Sequence, residues 1–99
     1  MLIGEVVGSV VSTRKDEKLE QLKLLVVQVR SHTNEATDRY VVAVDAVGAG
    51  VGELVLFATG SSARQTTLTH EKPCDAVIMG VVDSWDLGGE NVYEKWTEA

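Results

Sequence analysis

Proline, cysteine and aromatic residues are all scarce in this chain of 99 residues, and basic residues are outnumbered by acidic ones. The single cysteine, Cys74, cannot form a disulfide within the chain. Nine Lys and Arg residues against 15 Asp and Glu residues give a formal net charge of -6, which repels phosphate backbones and anionic lipid. The composition therefore argues against nucleic-acid and membrane partners.

Long hydrophobic runs are also missing. No stretch approaches the roughly 20 apolar residues of a membrane-spanning helix, and the N-terminal residues lack the basic region and apolar run of a secretory signal. We therefore expect a cytoplasmic protein. Hydrophobic residues at 44% and charged residues at 24% are typical of a globular chain, and this length suits a single core.

The residues that are abundant favour β-strands. The chain contains 17 Val, 2 Ile and 8 Thr residues, whose branched side chains suit a pleated sheet. Five apolar runs predict five strands, near residues 2–13, 23–30, 39–47, 53–59 and 75–85. The connections hold no pattern for long crossover helices, so we predict a mostly antiparallel sandwich or barrel.

The segments between these runs predict loops and turns. Residues 15–21 are charged and indicate a surface loop, and residues 32–38 indicate a hairpin turn. Residues 60–65 favour one short helix, with Ser61 or Ser62 accepting hydrogen bonds from its first N–H groups.

Both faces of several predicted strands are apolar. In the first strand Val6 and Val10 are expected on one face, with Ile3, Val7 and Val11 on the other. A single chain buries one face of each strand, so the second face indicates an oligomer. A closed barrel with covering loops would give a similar pattern.

The glycine cluster Gly48-Ala49-Gly50-Val51-Gly52-Glu53 does not fit a dinucleotide-binding loop. Its third glycine is one position early, and the residues that follow indicate a strand and no helix. We expect no cofactor there. Two interpretations remain: a tight turn that uses the backbone freedom of glycine, or a loop that lies where several chains crowd around a symmetry axis.

Residues suited to catalysis or metal binding are few. His32, His70 and Cys74 are the only candidates for a nucleophile, a base or a soft metal ligand. The pair His70 and Cys74 supplies two ligands, whereas a zinc ion is held by three or four protein ligands. The segment 60–64 lacks the G-x-S-x-G pattern of a nucleophile elbow. We predict neither a metal site nor an enzyme, and we interpret Asp45 as a turn or cap residue or as an intersubunit partner.

Five segments, taken in order, resemble the EutN/CcmL family. They are residues 1–15 (MLIGEVVGSVVSTRK), 22–27 (LKLLVV), 43–56 (AVDAVGAGVGELVL), 60–64 (GSSAR) and 73–83 (PCDAVIMGVVD). Together they cover roughly residues 1–85. Cys74 stands where an aliphatic residue is expected, which is a conservative departure.

The resemblance implies a structural role. Proteins of this family form pentamers that cap the vertices of bacterial microcompartment shells, and each subunit is a five-stranded OB-like β-barrel. It implies a barrel domain over residues 1–85 and a place in the shell in the cytoplasm. The tail over residues 86–99 matches nothing specific in the family, and packing of this tail on a neighbouring subunit or shell partner is a separate expectation. The implied partners are further copies of the chain and hexameric shell proteins.

The resemblance also suggests which residues lie at the pentamer interface or axis. These are Gly48, Ala49, Gly50, Val51, Gly52 and Glu53 of the glycine cluster, with Ser61, Ser62 and Arg64 of the following turn. The alternative function for a small barrel is an OB-type nucleic-acid-binding module. It needs basic and aromatic side chains interleaved in a groove, which this sequence does not offer.

Overall fold

The computed structural model describes residues 1–12, 22–60 and 75–95. These ranges contain seven strands: β1 (Leu2–Val10), β2 (Leu24–Arg30), β3 (Ala36–Asp45), β4 (Leu54–Thr59), β5 (Ala76–Val81), β6 (Ser84–Leu87) and β7 (Glu90–Glu94). The first five close into a barrel in the order β1-β2-β3-β5-β4, which confirms the predicted five-stranded all-β barrel. The predicted loop at 15–21 and the predicted helix after Gly60 lie outside the described residues.

Four of the five strand neighbours in the barrel are antiparallel. The exception is a short parallel contact in which Val44 and Asp45 of β3 lie beside Val77 and Ile78 of β5. Parallel neighbours need a long connection, and here the chain passes through β4 before it returns. No helix in the three described ranges is long and apolar enough to cross a membrane.

The barrel interior is filled by aliphatic side chains around Phe57. Strand β2 shows the alternation clearly, because Leu25, Val27 and Val29 are buried while their neighbours along the strand are partly exposed. The buried cluster consists of Val6, Leu25, Val27, Val29, Ala43, Ala49, Val55, Phe57, Ala76 and Ile78. Burying one large apolar side chain contributes about 1.5–3 kcal/mol, so this cluster is the main source of stability.

A β-bulge in β1 corrects one expectation from the sequence. Val6 pairs with Val27, but the next paired residue is Gly8, which lies beside Val26. The extra residue shifts the alternation, so Val10 pairs with Leu24 on the outer side of the barrel. Val6 is fully buried and Val10 is 36% exposed. The prediction that these two side chains share a face was therefore wrong.

The predicted turn between β2 and β3 is present, although β3 begins at Ala36 and so starts earlier than the sequence suggested. The hydroxyl of Ser31 accepts hydrogen bonds from the amides of Thr33 and Glu35. Asn34 has a φ of 65°, a left-handed conformation that Asn tolerates better than most residues.

Strands β6 and β7 form a hairpin of their own after the barrel. Its turn is Gly88-Gly89, and both glycines have positive φ values of 58° and 86°. Two such residues allow the tight turn whose twist matches that of the flanking strands. Tyr93 packs with Leu54 and Val82, and Trp85 packs against this group. The hairpin therefore packs on the start of β4 in its own chain.

The hairpin lies across the domain boundary that the sequence suggested. Strand β6 spans residue 85, and the indole Nε1 of Trp85 donates a hydrogen bond of 2.9 Å to the carbonyl of His32. Contact of residues 86–99 with a neighbouring subunit or a shell partner stays a prediction.

Candidate assembly site

The glycine loop, residues 46–53, joins β3 to β4 and is anchored by Asp45. The Asp45 side chain is only 2% exposed. Its Oδ1 accepts hydrogen bonds from the amides of Val47, Gly48 and Ala49, at 3.1, 3.0 and 3.2 Å. A carboxylate satisfies several backbone donors at once and binds them more strongly than a neutral acceptor does. Asp45 is therefore a turn residue, as one of its two interpretations predicted.

Two further contacts fix the first half of the loop to the barrel. Ala49 is 1% exposed and belongs to the main buried cluster. Lys23 donates from Nζ to the Ala49 carbonyl at 3.4 Å, and the same Nζ lies 3.7 Å from Asp45 Oδ2. This half of the loop is therefore held by a buried methyl group and by charge.

The second half of the loop is a tight turn over residues 50–53. The amide of Glu53 donates to the Gly50 carbonyl at 3.1 Å, and Gly52 has a φ of 93°. A positive φ at the third residue is the mark of a type II turn and favours glycine there. Val51 occupies the tip and is 68% exposed. The turn is tied to β1 because the Gly52 amide donates to the Val6 carbonyl at 2.8 Å.

Glu53 closes this turn a second time with its side chain. Its Oε1 accepts from the Gly50 amide at 2.7 Å, and its Oε2 accepts from Lys95 Nζ at 3.0 Å. The hydrogen bond from Gly50 and then the one from Lys95 lower the pKa of Glu53. The hydrogen bond between Lys95 and Glu53 also raises the pKa of Lys95. Both groups are therefore held in their charged forms.

The three glycines of the loop differ in whether the backbone conformation requires glycine. Gly48 and Gly52 have positive φ values, which supports the tight-turn interpretation for these two. Gly50 does not have a positive φ, and the nearest neighbour of a Cβ placed there would be Glu53 Oε1 at 3.5 Å, an ordinary contact. Among the described residues, neither backbone strain nor crowding explains a glycine at position 50.

Several apolar side chains remain on the outside of the molecule. Val47 and Val51 project from the glycine loop, and Val42 of β3 is 52% exposed. On the outer side of the barrel strands the exposed non-aromatic apolar residues are Val7, Val10, Val42, Leu56 and Met79. This is the surplus apolar surface that the two-faced strands predicted.

The sequence-predicted interface residues divide into two groups. Residues 48–53 form the second part of one loop, whereas Ser61, Ser62 and Arg64 lie outside the described residues, as do His70 and Cys74. Gly60, which precedes the second group, donates its amide to the Asp75 carbonyl at 2.8 Å. Glu53 directly precedes β4 and Gly60 directly follows it.

Sequence reasoning missed Lys95 and the hairpin that carries it. The pair Gly88-Gly89 between Leu87 and Glu90 is a hairpin signal that was available in the sequence. Nothing local indicated that Lys95 contacts Glu53, which is 42 positions away. In the parts of the chain that the structure describes, no three His, Cys, Asp or Glu side chains group as metal ligands do.

The similarity to known proteins extends over the whole barrel. Residues 1–83 match the family described as ethanolamine utilisation protein EutN/carboxysome. The carboxysome shell vertex protein CcmL of Synechococcus elongatus is 42% identical over 95 residues, which is 96% of each chain.

Solved structures agree with the sequence comparison. The structure of CcmL from Gloeobacter violaceus superposes with a TM-score of 0.93 at 38% identity and covers 97% of this chain and 99% of that one. The pentameric microcompartment shell protein GrpN from Rhodospirillum rubrum gives a TM-score of 0.80 at 44% identity, covering 88% of this chain and 99% of that one. With its barrel, its glycine loop and its matched residues 1–83, this chain belongs to the EutN/CcmL family.

Proposed function

We propose that this chain is a structural protein that assembles into a ring of five copies and caps the vertices of a bacterial microcompartment shell. The observation that carries this proposal is its likeness, over nearly the full length, to a carboxysome shell vertex protein and to a pentameric shell protein. The exposed apolar residues on the loop and the barrel support it, because each copy has surface to bury against another.

The mechanism is geometrical. A flat layer of hexagonal tiles cannot close on itself, whereas five-fold units at some positions add the curvature that closes a polyhedron. A ring with five-fold symmetry needs heterologous contacts, in which one surface of each copy meets a different surface of the next. The chain therefore needs one pair of surfaces for the ring and another surface for the neighbouring tiles.

The glycine loop is our candidate for one of the ring surfaces. Neither the backbone conformation nor the packing within the chain requires a glycine at position 50. A glycine there leaves out a side chain, which permits the close approach of another chain. Val51 beside it is exposed and apolar. Residues 48–53 of one copy meet the next copy in this proposal, and the segment that holds Ser61, Ser62 and Arg64 supplies the complementary surface.

The same proposal assigns partners and place. Hexameric shell proteins are the neighbours of the ring, and the chain resides in the shell inside the bacterial cell. It acts through assembly and carries no catalytic step, because the proteins that it resembles are described as shell vertex proteins. It needs no cofactor for that role.

The test is to count subunits by native mass spectrometry at several protein concentrations. We expect a pentamer for the unmodified chain, and a shift towards smaller species for Gly50→Val and for Arg64→Ala. The matched control is Ala36→Val, which adds branched bulk at the exposed opposite end of β3 and is expected to leave the pentamer intact.

Other results would overturn parts of the proposal. A stable monomer that shifts oligonucleotides on a gel in a salt-dependent way would favour the nucleic-acid-binding alternative. Pentamers of undiminished stability in both variants would remove residues 48–53 and Arg64 from the interface while leaving the vertex role in place.

A further inference from the structure

The C-terminal hairpin and the glycine loop meet at one carboxylate. Glu53 is the last residue of the loop and directly precedes β4. One of its carboxylate oxygens accepts from the Gly50 amide inside the loop, and the other accepts from Lys95, the residue that follows β7. The side chain therefore joins two parts of the molecule that share no strand pairing.

The hairpin holds Lys95 in place through several independent contacts. Tyr93 packs with Leu54 and Val82 at the start of β4. The amide of Lys95 donates to the Asp83 carbonyl at 2.8 Å, and Val82 donates its amide to the Leu54 carbonyl at 2.8 Å. The Lys95 ammonium consequently reaches Glu53 from a fixed backbone, which reduces the entropy lost when the pair forms.

The loop is not equally secured along its length. Asp45 and the buried Ala49 hold residues 47–49. The Gly50 amide, by contrast, donates to the Glu53 carboxylate. Backbone hydrogen bonds of Gly52 and Glu53 already hold the later part of the 50–53 turn. The orientation of the Glu53 carboxylate therefore determines how firmly its first residue, Gly50, is held.

We propose that Glu53 is a positioning residue through which the C-terminal hairpin fixes the conformation of the 50–53 turn. Lys95 holds one oxygen of Glu53, which directs the other at the Gly50 amide. In this arrangement the hairpin influences the conformation of a turn that lies between β3 and β4, outside the hairpin. Its effect on assembly rests on the proposed function, in which this turn contacts the next copy, whereas its effect on the turn does not.

The test is amide hydrogen exchange, measured residue by residue on the full chain. Lys95→Met removes the ammonium and keeps most of the side-chain stem. We expect exchange at Gly50 to rise roughly two- to fivefold, which is what a partly exposed ion pair is worth. The Gly48 amide is the internal control, since it donates to Asp45 and is expected to keep its rate.

Two further variants separate positioning from a general loss of stability. Lys95→Arg keeps the cation and is expected to restore slow exchange at Gly50. In a Glu53→Gln background, Lys95→Met is expected to have no additional effect, because the connecting carboxylate is already gone. Equal exchange rates at Gly50 in the original chain and in Lys95→Met overturn the proposal, and so does an equal rise at Gly48 and Gly50.

Native mass spectrometry of the same samples keeps this proposal apart from the proposed function. If the unmodified chain is a monomer and Lys95→Met still accelerates Gly50 exchange, the vertex role fails while the positioning role of Glu53 holds. If the chain is a pentamer and Gly50 exchange does not respond, only the positioning role fails.

Discussion

Gly4 of β1 lies so close to Gln28 of β2 that a Cβ at position 4 would stand 2.7 Å from the Gln28 carbonyl oxygen. The same Cβ would also press on Val27 and would lie 3.0 Å from Phe57 Cε1. One of these neighbours is backbone and the others belong to the main core, so none can move aside cheaply. The packing of the barrel interior therefore depends on the absence of a side chain at this position.

Gly4→Ala is expected to destabilise the fold by about 1–3 kcal/mol, the usual cost of forcing extra carbon into a packed core. Gly8→Ala in the same strand is the control, because the nearest atom to its new Cβ is Val26 Cβ at 4.0 Å. Urea unfolding at matched protein concentration measures both. Equal midpoints for the two variants would contradict the close approach at Gly4.

Asp45 provides a second prediction. Asp45→Ala removes the acceptor for three loop amides, and unsatisfied donors of this kind cost about 1–3 kcal/mol. Asp45→Asn keeps an oxygen acceptor in nearly the same shape and is expected to lose less. Thermal unfolding and amide exchange at Gly48 measure the difference. If Asn and Ala lowered stability equally, the carboxylate oxygen would not be the anchor of the loop.

The barrel could be predicted from the sequence because its signal is local. Short apolar runs rich in β-branched residues, as in β2, or bounded by turn residues, as in β4, indicate strands by themselves, and the glycine cluster marks a turn before any partner is known. The hairpin at Gly88-Gly89 also had a local signal, but the short strands beside it have few apolar residues. Local pattern thus identifies elements wherever burial on one face is strong.

The remaining features depend on contacts between distant positions. The bulge between Val6 and Gly8 adds one residue to β1, and only its pairing with β2 reveals where the alternation shifts. The contact of Glu53 with Lys95 joins residues 42 positions apart. Glu53 belongs to the glycine cluster and Lys95 to no motif, and neither pattern indicates their contact. The candidate positioning role of Glu53 therefore follows from the fold alone.

The contact between Glu53 and Lys95 predicts a pH dependence in the stability of the folded chain. Because folding lowers the pKa of Glu53, its contribution is present above the pKa that it has in the unfolded chain. That contribution is lost as the pH falls through the lower pKa of the folded state. For Lys95, whose pKa is raised, the contribution is full below its unfolded pKa and is lost as the pH rises through the folded one.

Glu53→Gln should therefore flatten the acid side of the stability profile, and Lys95→Met the alkaline side. Asp45 near Glu53, and Asp83 and Tyr93 near Lys95, also act on this pair electrostatically, so each variant is compared with the unmodified chain over the whole range. Glu90→Gln removes an exposed carboxylate of the hairpin and is the control. Denaturant midpoints at a series of pH values measure the effect, and identical acid limbs for Glu53→Gln and the unmodified chain would contradict it.

Substitutions of Trp85 test whether its hydrogen bond to the β2–β3 turn also holds the hairpin on the barrel. Its ring lies 5.4 Å from that of Tyr93, and its indole N–H reaches the His32 carbonyl in the β2–β3 turn. Trp85→Phe keeps an aromatic ring beside Tyr93 and loses only the hydrogen bond, so we expect a cost of about 0.5–1.5 kcal/mol. Trp85→Ala loses the ring contact too and is expected to cost more. Amide exchange measured along the whole chain locates the change, which should be confined to the hairpin, the β2–β3 turn and the start of β4, on which the hairpin packs. If amides throughout β2 and β4 lost as much protection as those of the hairpin, Trp85 would stabilise the barrel itself as well as holding the hairpin in place.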